Sequence, residues 1–288
     1  MIIISIHCFP HELKNYERII FDLNKCTSSI PSHNFRIESC LNINNDLIDW
    51  KHNQDVETKD SSQYFIDTSL KSKINCKYKI VNQKNFLGCN EHRRSTINDS
   101  NEDDAITFLD CDIHFDEKIL DGIYKSTIKI KKFIDHYIIT PTTVRLWDET
   151  WDCIVNDKYK NHKIGFQNNV DFAHIPKRTG DHTKLKPVNE FKWAGGWFNT
   201  ISSKLLKKIN IPKSFVGYGP DDTFVMAASR IMRRKGYKIQ QYKLENLIVC
   251  EDRNPQKYKY DLKNDIPNFR ENSEMLFTEE LKKISKNL

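Results

Sequence analysis

Short apolar runs alternate with segments of helical spacing through the first half of the chain. Residues 2–7 form an apolar run that we interpret as the first strand, and residues 12–23 space their apolar side chains as a helix does. This alternation favours an α/β fold with a mostly parallel central sheet flanked by helices, whose ligands bind beyond the carboxyl ends of the strands. The same patterns predict strands at 35–41, 64–66, 78–81 and 137–140, the last ended by Pro141, helices at 88–99 and 117–133, and a polar loop at 42–62.

The central apolar run ends in two acidic residues. Residues 106–110 are mostly apolar or β-branched and predict a buried strand, with Asp112 two positions beyond Asp110. A strand alternates its faces, so we expect both carboxylates to point the same way, where burial is costly unless a cation binds them. Mg²⁺ or Mn²⁺ would suit this pair, because both ions prefer oxygen ligands. The alternative is a solvated turn that happens to contain two aspartates.

A second acidic pair, Asp221 and Asp222, follows a Gly-Tyr-Gly-Pro turn. The periodicity of residues 221–235 predicts a helix that Gly236 ends, and residues 236–244 and 247–250 predict two strands after it. Proline and aspartate both suit a first helical turn, where free N–H groups and the helix dipole favour negative charge. A helix cap is therefore the alternative interpretation, but a cap needs only one aspartate.

Between the two acidic pairs lies the stretch Trp-Ala-Gly-Gly-Trp-Phe. Gly195 and Gly196 allow a ligand to approach the backbone closely, and the faces of Trp193 and Trp197 could stack on sugar rings. A tight turn beside a core tryptophan is the alternative. We interpret the less regular residues 142–192 as an insertion over the site, with strands around 163–172.

Together, these three segments resemble the motifs of inverting GT-A glycosyltransferases. The matching stretches are Leu-Asp-Cys-Asp at 109–112, Trp-Ala-Gly-Gly-Trp-Phe at 193–198 and Gly-Tyr-Gly-Pro-Asp-Asp-Thr-Phe at 217–224. Similar families are glycosyltransferase family 2, the β-1,4-galactosyltransferases and the polypeptide N-acetylgalactosaminyltransferases. The resemblance implies one GT-A catalytic domain at 1–250, with a nucleotide-sugar half at 1–140 and an acceptor half at 141–250. A helical extension at 251–288 would follow, with its helix at 268–287.

On the donor side, the resemblance implies a metal and a bound diphosphate. Asp112 would ligate Mn²⁺ or Mg²⁺, and Asp110 would contact the ribose or reach the metal through water. Arg93 or Arg94 is placed like the family's basic residue before this strand, although an exposed helix face is the alternative, since adjacent residues cannot share one face. His7 falls at the carboxyl end of the first strand and is a further donor-binding candidate. A UDP-sugar is the expected donor, but the sequence does not identify its sugar or base.

On the acceptor side, the resemblance implies inverting transfer of a hexosyl-type sugar to a hydroxyl of a glycan, glycolipid or glycoprotein. Asp222 would be the general base, matching the second acidic residue of the family's pair, and Asp221 would orient the acceptor hydroxyl. Two neighbouring carboxylates could raise one another's pKa, which suits a base. The acceptor-binding candidates are Trp193, Gly195, Gly196 and Trp197.

The sequence departs from the family at the third metal ligand, which is a histidine in many members. The corresponding stretch, Leu-Ile-Val-Cys-Glu-Asp at 247–252, contains none. Glu251 could substitute, Asp252 less readily, or water could complete the shell. His174 and His182 are alternatives from the insertion.

Composition is that of a globular enzyme. The net charge of +6 suits an anionic nucleotide substrate or an acidic membrane surface, and the dispersed basic residues carry no nucleic-acid-binding signature. None of the eight cysteines forms a C-x-x-C pair, and we expect reduced core thiols. No stretch approaches the ~20 apolar residues of a membrane span. We therefore expect a cytoplasmic protein, soluble or peripheral at the membrane, while the oligomeric state stays open.

Two other functions compete with the glycosyltransferase. A sugar nucleotidyltransferase also uses paired carboxylates and a metal, but it usually carries a Gly-rich loop after the first strand. The stretch Ser-Ile-His-Cys-Phe-Pro at 5–10 has no glycine. A non-catalytic glycan-binding or scaffold protein with a decayed site is the second alternative, and the retention of both acidic pairs argues against it.

Overall fold

The computed structural model describes residues 1–44, 48–49, 58–83, 86, 88–144, 179–189, 198–217, 220–251, 261–262 and 269–287. These residues form eleven strands and seven α-helices. The strands are β1 (Ile2–Cys8), β2 (Phe35–Asn42), β3 (Ile48–Asp49), β4 (Asn75–Val81), β5 (Ala105–Leu109), β6 (Ile113–Phe115), β7 (His136–Val144), β8 (Leu185–Val188), β9 (Phe198–Ser202), β10 (Ile239–Glu251) and β11 (Asp261–Leu262). The helices are α1 (Leu13–Cys26), α2 (Thr58–Leu70), α3 (Cys89–Asp99), α4 (Ile119–Lys131), α5 (Ser203–Ile209), α6 (Asp221–Arg234) and α7 (Phe269–Asn287).

Nine strands form one sheet in the order β4-β2-β1-β5-β9-β7-β10-β6, with β8 paired to β10. Strands β4, β2, β1, β5, β7 and β10 run in one direction, whereas β9, β6 and β8 run in the other. The predicted α/β fold with a mostly parallel sheet is therefore confirmed. Strands β3 and β11 form a separate antiparallel pair.

The sheet buries both of its faces, which explains the continuous apolar runs in its central strands. Ile2, Ile4 and Ile6 of β1 belong to a core shared with α1, whereas Ile3 belongs to a second core shared with α6. Because β1 and β5 are parallel and pair Ile6 with Leu109, their carboxyl ends lie at one edge of the sheet. That edge carries the first acidic pair.

Strand β9 lies antiparallel between β5 and β7. Thr200 of β9 lies opposite Thr107 of β5, and their buried hydroxyl oxygens are 2.7 Å apart. Strand β9 therefore joins the parallel strands of the first part of the chain to β7 and β10. It also places Phe198 and Asn199, at the end of the Trp-Ala-Gly-Gly-Trp-Phe stretch and just after it, next to β5.

The C-terminal helix packs against the helix that carries the second acidic pair. Phe277 of α7 contacts Phe224 of α6 with ring centroids 5.9 Å apart, and Phe224 contacts Phe215 at 5.2 Å. Helix α7 matches the prediction for residues 268–287. The proposed domain division at residue 250 stays a prediction.

One strand prediction and one loop prediction were wrong. Residues 64–66 lie inside α2, and the predicted loop at 42–62 contains β3 and the start of this helix. The buried face of α2 consists of Ser61, Phe65, Thr68 and Ser69, so its helical spacing is carried mainly by small polar side chains. That face gives almost no hydrophobic periodicity, which is the signal from which a helix is predicted.

Pro141 does not end its strand, because β7 continues to Val144. Pro141 pairs in register with Leu244 of β10, at the point where the register shifts between Leu244 and Ile248. A proline lacks the N–H that a regular ladder needs, and irregular pairing is where a sheet tolerates it. The same irregularity explains why two predicted strands, 236–244 and 247–250, form the single strand β10.

The described cysteines are seven free thiols, six of them buried, and Cys153 lies outside the described residues. No helix within the described ranges has the length and hydrophobicity to cross a membrane.

The hydroxyl pair between β5 and β9 offers a test of the sheet order. Thr107→Val or Thr200→Val alone should destabilise the protein by about 1–3 kcal/mol, because each leaves a buried hydroxyl without its partner. The double Val variant should recover much of that loss, because no buried hydroxyl then remains at the junction. Urea unfolding of the wild type, the two single variants and the double variant gives the four free energies of a double-mutant cycle. Strictly additive losses would contradict the pairing of β5 with β9.

Candidate functional site

A single arginine joins the two acidic pairs. Arg93 of α3 donates one hydrogen bond to Oδ1 of Asp110 and another to Oδ2 of Asp221, each at 2.6 Å. Asp110 directly follows β5, and Asp221 is the first residue of α6. Asp110 and Asp221, more than one hundred residues apart in sequence, therefore bind the same guanidinium.

The guanidinium of Arg93 is almost fully buried, with 7% of its side chain exposed. It lies 5.3 Å from the ring centre of Phe108, a distance at which a cation is attracted to an aromatic face. Although burial opposes its charge, the carboxylates of Asp221 and Asp110 raise the pKa of Arg93 well above the usual value. Arg93 is therefore a permanent positive charge within the site.

Asp110 and Asp112 lie in a turn rather than on a strand. Strand β5 ends at Leu109 and β6 begins at Ile113, whose N–H donates to the carbonyl of Asp110 at 3.4 Å. The expectation that strand alternation aligns the two carboxylates was therefore wrong. The turn still keeps them close, since the charge of Asp112 helps to raise the pKa of Asp110.

Contacts from β1 and α1 hold this turn. Arg18 of α1 donates to the carbonyls of Cys111 and Ile113 at 3.0 and 2.9 Å, on either side of Asp112. The Cys111 thiol donates to the carbonyl of His7 at 3.3 Å. Arg18 was not among the predicted site residues, because an arginine on an amphipathic helix carries no sequence signal of a contact with a distant turn.

Burial raises the pKa of Asp110 to about 7, Arg93 opposes this shift, and Asp112, Asp221 and Asp222 add to it. Crowded carboxylates of this kind fit a hard divalent cation, which would relieve their repulsion. Within the described ranges, no three His, Cys, Asp or Glu side chains are grouped so as to hold a metal ion. Asp110 and Asp112 therefore provide at most part of a coordination shell.

The second acidic pair opens α6, as its Gly-Pro turn predicts. Gly217, with φ of 71°, has the left-handed backbone that favours glycine. Its N–H donates to the Glu91 carboxylate at 3.1 and 3.3 Å, and its carbonyl accepts the Asn90 N–H at 3.2 Å. The start of α3 therefore fixes the turn before Asp221. Glu91, like Arg18, was not predicted from the sequence.

The two carboxylates of this pair have different surroundings. Asp221 is buried and bound by Arg93, whereas Asp222 is half-buried and accepts the Thr223 N–H at 2.5 Å. Burial, followed by the charge of Asp221, raises the pKa of Asp222 to about 6. A carboxylate with a raised pKa is suited to take a proton near neutral pH.

The two adjacent arginines of α3 make different contacts. Arg94 donates to the carbonyls of Ile211, Pro212 and Phe215, at 2.9, 2.7 and 3.0 Å. It holds the segment that leads to Gly217, and Arg93 is the arginine that lies among the carboxylates.

His7 lies at the end of β1 as predicted. Its ring contacts Phe9 edge-on with centroids 4.6 Å apart, and no described residue hydrogen-bonds its buried Nε2. Burial, with the charges of His92 and Arg93, lowers the pKa of His7 well below its usual value. His7 is therefore neutral, and its donor-binding role stays a prediction.

Several predicted residues cannot be placed in the site. Trp193, Gly195, Gly196 and Trp197 lie outside the described residues, as do Asp252, His174 and the predicted strands at 163–172. The backbone of Glu251 pairs with Ile113, the residue after Asp112, but the Glu251 side chain is outside the described part. His182 lies elsewhere, since its Nε2 contacts Asp121 of α4.

A small cleft opens beside the Arg93 cluster. Asp221 and Asp222 line it together with Arg93, and Asn199 of β9 and Phe108 of β5 contribute to its walls. The second acidic pair, β9 and the end of β5 therefore converge on one cleft, and Arg93, which also binds Asp110, lies in its wall.

Comparison with solved structures identifies this architecture as the GT-A fold. TarS from S. aureus aligns with a TM-score of 0.51 and 11% identity, over 89% of this chain and 37% of that one. GalNAc-T7, solved with UDP, GalNAc and Mn²⁺, aligns with a TM-score of 0.50 and 9% identity, over 88% of this chain and 43% of that one. Both are GT-A fold glycosyltransferases, and this chain spans less than half the length of either.

No protein-family model and no curated protein sequence matches the chain. The likeness is therefore one of fold.

The buried carboxylate should make stability depend on pH. The pKa of Asp110 in the folded protein, about 7, lies above the usual 3.8, so wild-type protein should lose stability as pH rises between these values. Asp110→Asn cannot ionise and should be more stable than wild type above pH 7, with an advantage that shrinks toward pH 4. Unfolding in EDTA across this range measures the difference.

Arg93→Met provides the contrast, because it removes the cation that favours the ionised carboxylates. Its stability should fall more steeply with rising pH, and breaking the buried pair should cost about 3–5 kcal/mol at neutral pH. Equal pH slopes for wild type and Asp110→Asn would contradict the assigned pKa shift.

Proposed function

We propose that this protein is a metal-dependent inverting glycosyltransferase that moves a sugar of the hexose type from a nucleotide diphosphate to a hydroxyl of a glycan or glycoconjugate. The observation that carries the proposal is the contact of Arg93 with both Asp110 and Asp221. This contact holds a donor-side carboxylate and an acceptor-side carboxylate on one arginine in the wall of the cleft, so that two bound substrates would meet there, as transfer requires. The GT-A fold supports the same class of reaction.

The donor would bind at the carboxyl edge of β1, β2 and β5. Asp112 and Asp110 would hold Mn²⁺ or Mg²⁺, with Glu251, water or the diphosphate completing the shell. When bound, this ion would act as a Lewis acid that neutralises the leaving diphosphate. GalNAc-T7 was solved with UDP and Mn²⁺, which supports a UDP-sugar and this choice of metal.

Arg93 would contribute the protein's own positive charge. Its guanidinium already binds two carboxylates, and a diphosphate near Asp110 would share the same donor groups. At the end of β2 and just after it, the buried side chains of Asn42 and Asn44 bind the carbonyls of Phe86 and Gln83, respectively. These contacts shape the edge at which the nucleoside would lie, next to neutral His7.

Asp222 would act as the general base. It is half-buried on the cleft with a pKa raised to about 6, so it is ionised at neutral pH and can accept the proton of the attacking hydroxyl. Asp221, held by Arg93, would orient that hydroxyl. Trp193, Gly195, Gly196 and Trp197 would bind the acceptor, whose identity the sequence does not reveal.

The protein would work in a reducing, cytoplasmic setting, either soluble or at a membrane surface. The seven free thiols among the described residues support this proposal.

Asp222→Asn should retain donor binding and lower kcat by at least ~10²-fold, the usual scale for loss of a general base. Asp221→Asn should chiefly weaken acceptor affinity. The exposed Asp60 of α2 gives a matched control, and Asp60→Asn should keep full activity. Near-normal turnover in both Asp222→Asn and Asp221→Asn would reduce the pair to a helix cap.

The pH profile and the product provide independent readings of the same step. Wild-type kcat/KM should fall as pH drops through about 6, because protonated Asp222 cannot accept a proton, and Asp222→Asn should lack this limb. An α-linked nucleotide sugar should yield a β-linked product by NMR. An α-linked product would refute inversion.

Metal dependence has a test that does not require the acceptor. Wild-type protein should bind Mn²⁺ in calorimetry and, with a panel of nucleotide sugars, slowly release nucleoside diphosphate. Asp112→Ala should lose both properties, while the melting temperature of the metal-free protein changes little. A binding module would release no nucleoside diphosphate, and undiminished release in excess EDTA would rule out the metal.

A further inference from the structure

The edge of the sheet opposite the site carries a concentration of lysines. Asp110 follows the end of β5, whereas Asp103 precedes its start, so the two lie at opposite edges of the sheet. At about 3.3 Å per residue, the five residues of β5 separate these edges by roughly 17 Å. The amino-edge patch consists of Lys129, Lys131, Lys132, Phe133, Lys204 and Lys208.

The contacts of these residues show that the patch is continuous. Lys131 binds the carbonyl of Asp103 before β5, and Lys204, after β9, pairs with Asp135, before β7, at 2.7 Å. Lys208 lies 5.2 Å from the ring centre of Tyr237, which precedes β10. Because β5, β9, β7 and β10 are neighbours in the sheet, the patch crosses four adjacent strand ends.

Positive charge predominates on this edge. Lys207 and Lys238 are exposed beside the patch, and α6 ends on the same side with Arg233 and Arg234. Five exposed acidic residues lie among them or near Lys129: Asp99, Glu102, Asp103, Asp135 and Asp181. The nine bases still outnumber these five acids, so the patch complements an anionic surface.

Apolar side chains within the patch indicate which kind of anionic surface it fits. Phe133, just beyond α4, is 79% exposed, and Ile128 on the same helix is 44% exposed. A soluble polyanion gains nothing from these groups. A lipid surface does, because lysines can bind its phosphates while an aromatic ring enters the acyl boundary.

We propose that the amino-edge patch docks this protein on an anionic membrane, with Phe133 inserted between lipids and the lysines on their phosphates. The catalytic cleft would then open away from the bilayer, toward a soluble acceptor or a long chain reaching from the membrane. The docking proposal does not depend on the proposed reaction.

The test is flotation of purified protein with two kinds of vesicle, phosphatidylcholine alone and phosphatidylcholine mixed with phosphatidylglycerol. Wild type should bind only the anionic vesicles, and added salt should weaken binding. Lys129→Gln/Lys132→Gln should lower the partition coefficient about 25-fold, at about fivefold per lysine near the surface. Phe133→Ser should lower it about tenfold or more, since burial of a phenylalanine is lost.

Matched controls lie away from the patch. Met275, near the start of α7, is 69% exposed, and Lys73 and Lys77 are exposed just before and within β4, the edge strand on the side of β5 away from β10. Met275→Ser and Lys73→Gln/Lys77→Gln should bind vesicles like wild type, and all variants should keep the wild-type melting temperature. Equal binding to neutral vesicles, or no binding at all, would overturn the proposal. A third result would also overturn it. If Phe133→Ser bound vesicles normally, and the lysine variant lost binding both to vesicles and to inorganic polyphosphate, the patch would be a surface for soluble polyanions.

Discussion

The ion pairs of Arg93 are the interaction on which the site depends. A buried guanidinium is costly unless carboxylates surround it, and a buried carboxylate is costly unless a cation binds it. Arg93, Asp110 and Asp221 meet both requirements at once, with two contacts of 2.6 Å. Each group lies on a different element, so α3, the end of β5 and the start of α6 must be positioned together for any of the three to be stable.

The contacts around this cluster keep those elements in place. Arg94 and Glu91, which flank Arg93 closely in sequence, bind the backbone that leads into α6. Helix α6 is supported from its other side by Phe277 of α7. The supporting groups act on main-chain atoms and apolar rings, so they add rigidity to the site without lining the cleft themselves. Positions of this kind are suited to hold a geometry that tolerates little displacement.

The sequence predicted helices such as α1 and α6 because their apolar side chains repeat with the helical period, and it predicted central strands such as β1 because they are continuous apolar runs. It predicted that both acidic pairs belong to one site because the motifs resemble a known family. It could not predict α2, whose buried face is mostly small and polar, or the turn that carries Asp110 and Asp112. The double contact of Arg93 and the support from Arg18 and Glu91 join residues distant in sequence, and no local pattern encodes such pairs.

The position of β9 has a consequence for the order in which the molecule can be built. Strands β4, β2, β1 and β5 all lie within the first 109 residues and pair with one another, so this half can fold as the chain emerges. Until β9 is synthesised, the outer side of β5 is an open sheet edge, a surface prone to wrong pairing. Arg93 and Asp110 are present from the start, whereas Asp221 arrives after β9. Assembly of the cleft at Arg93 is therefore a late event, completed only when the second half of the chain closes that edge.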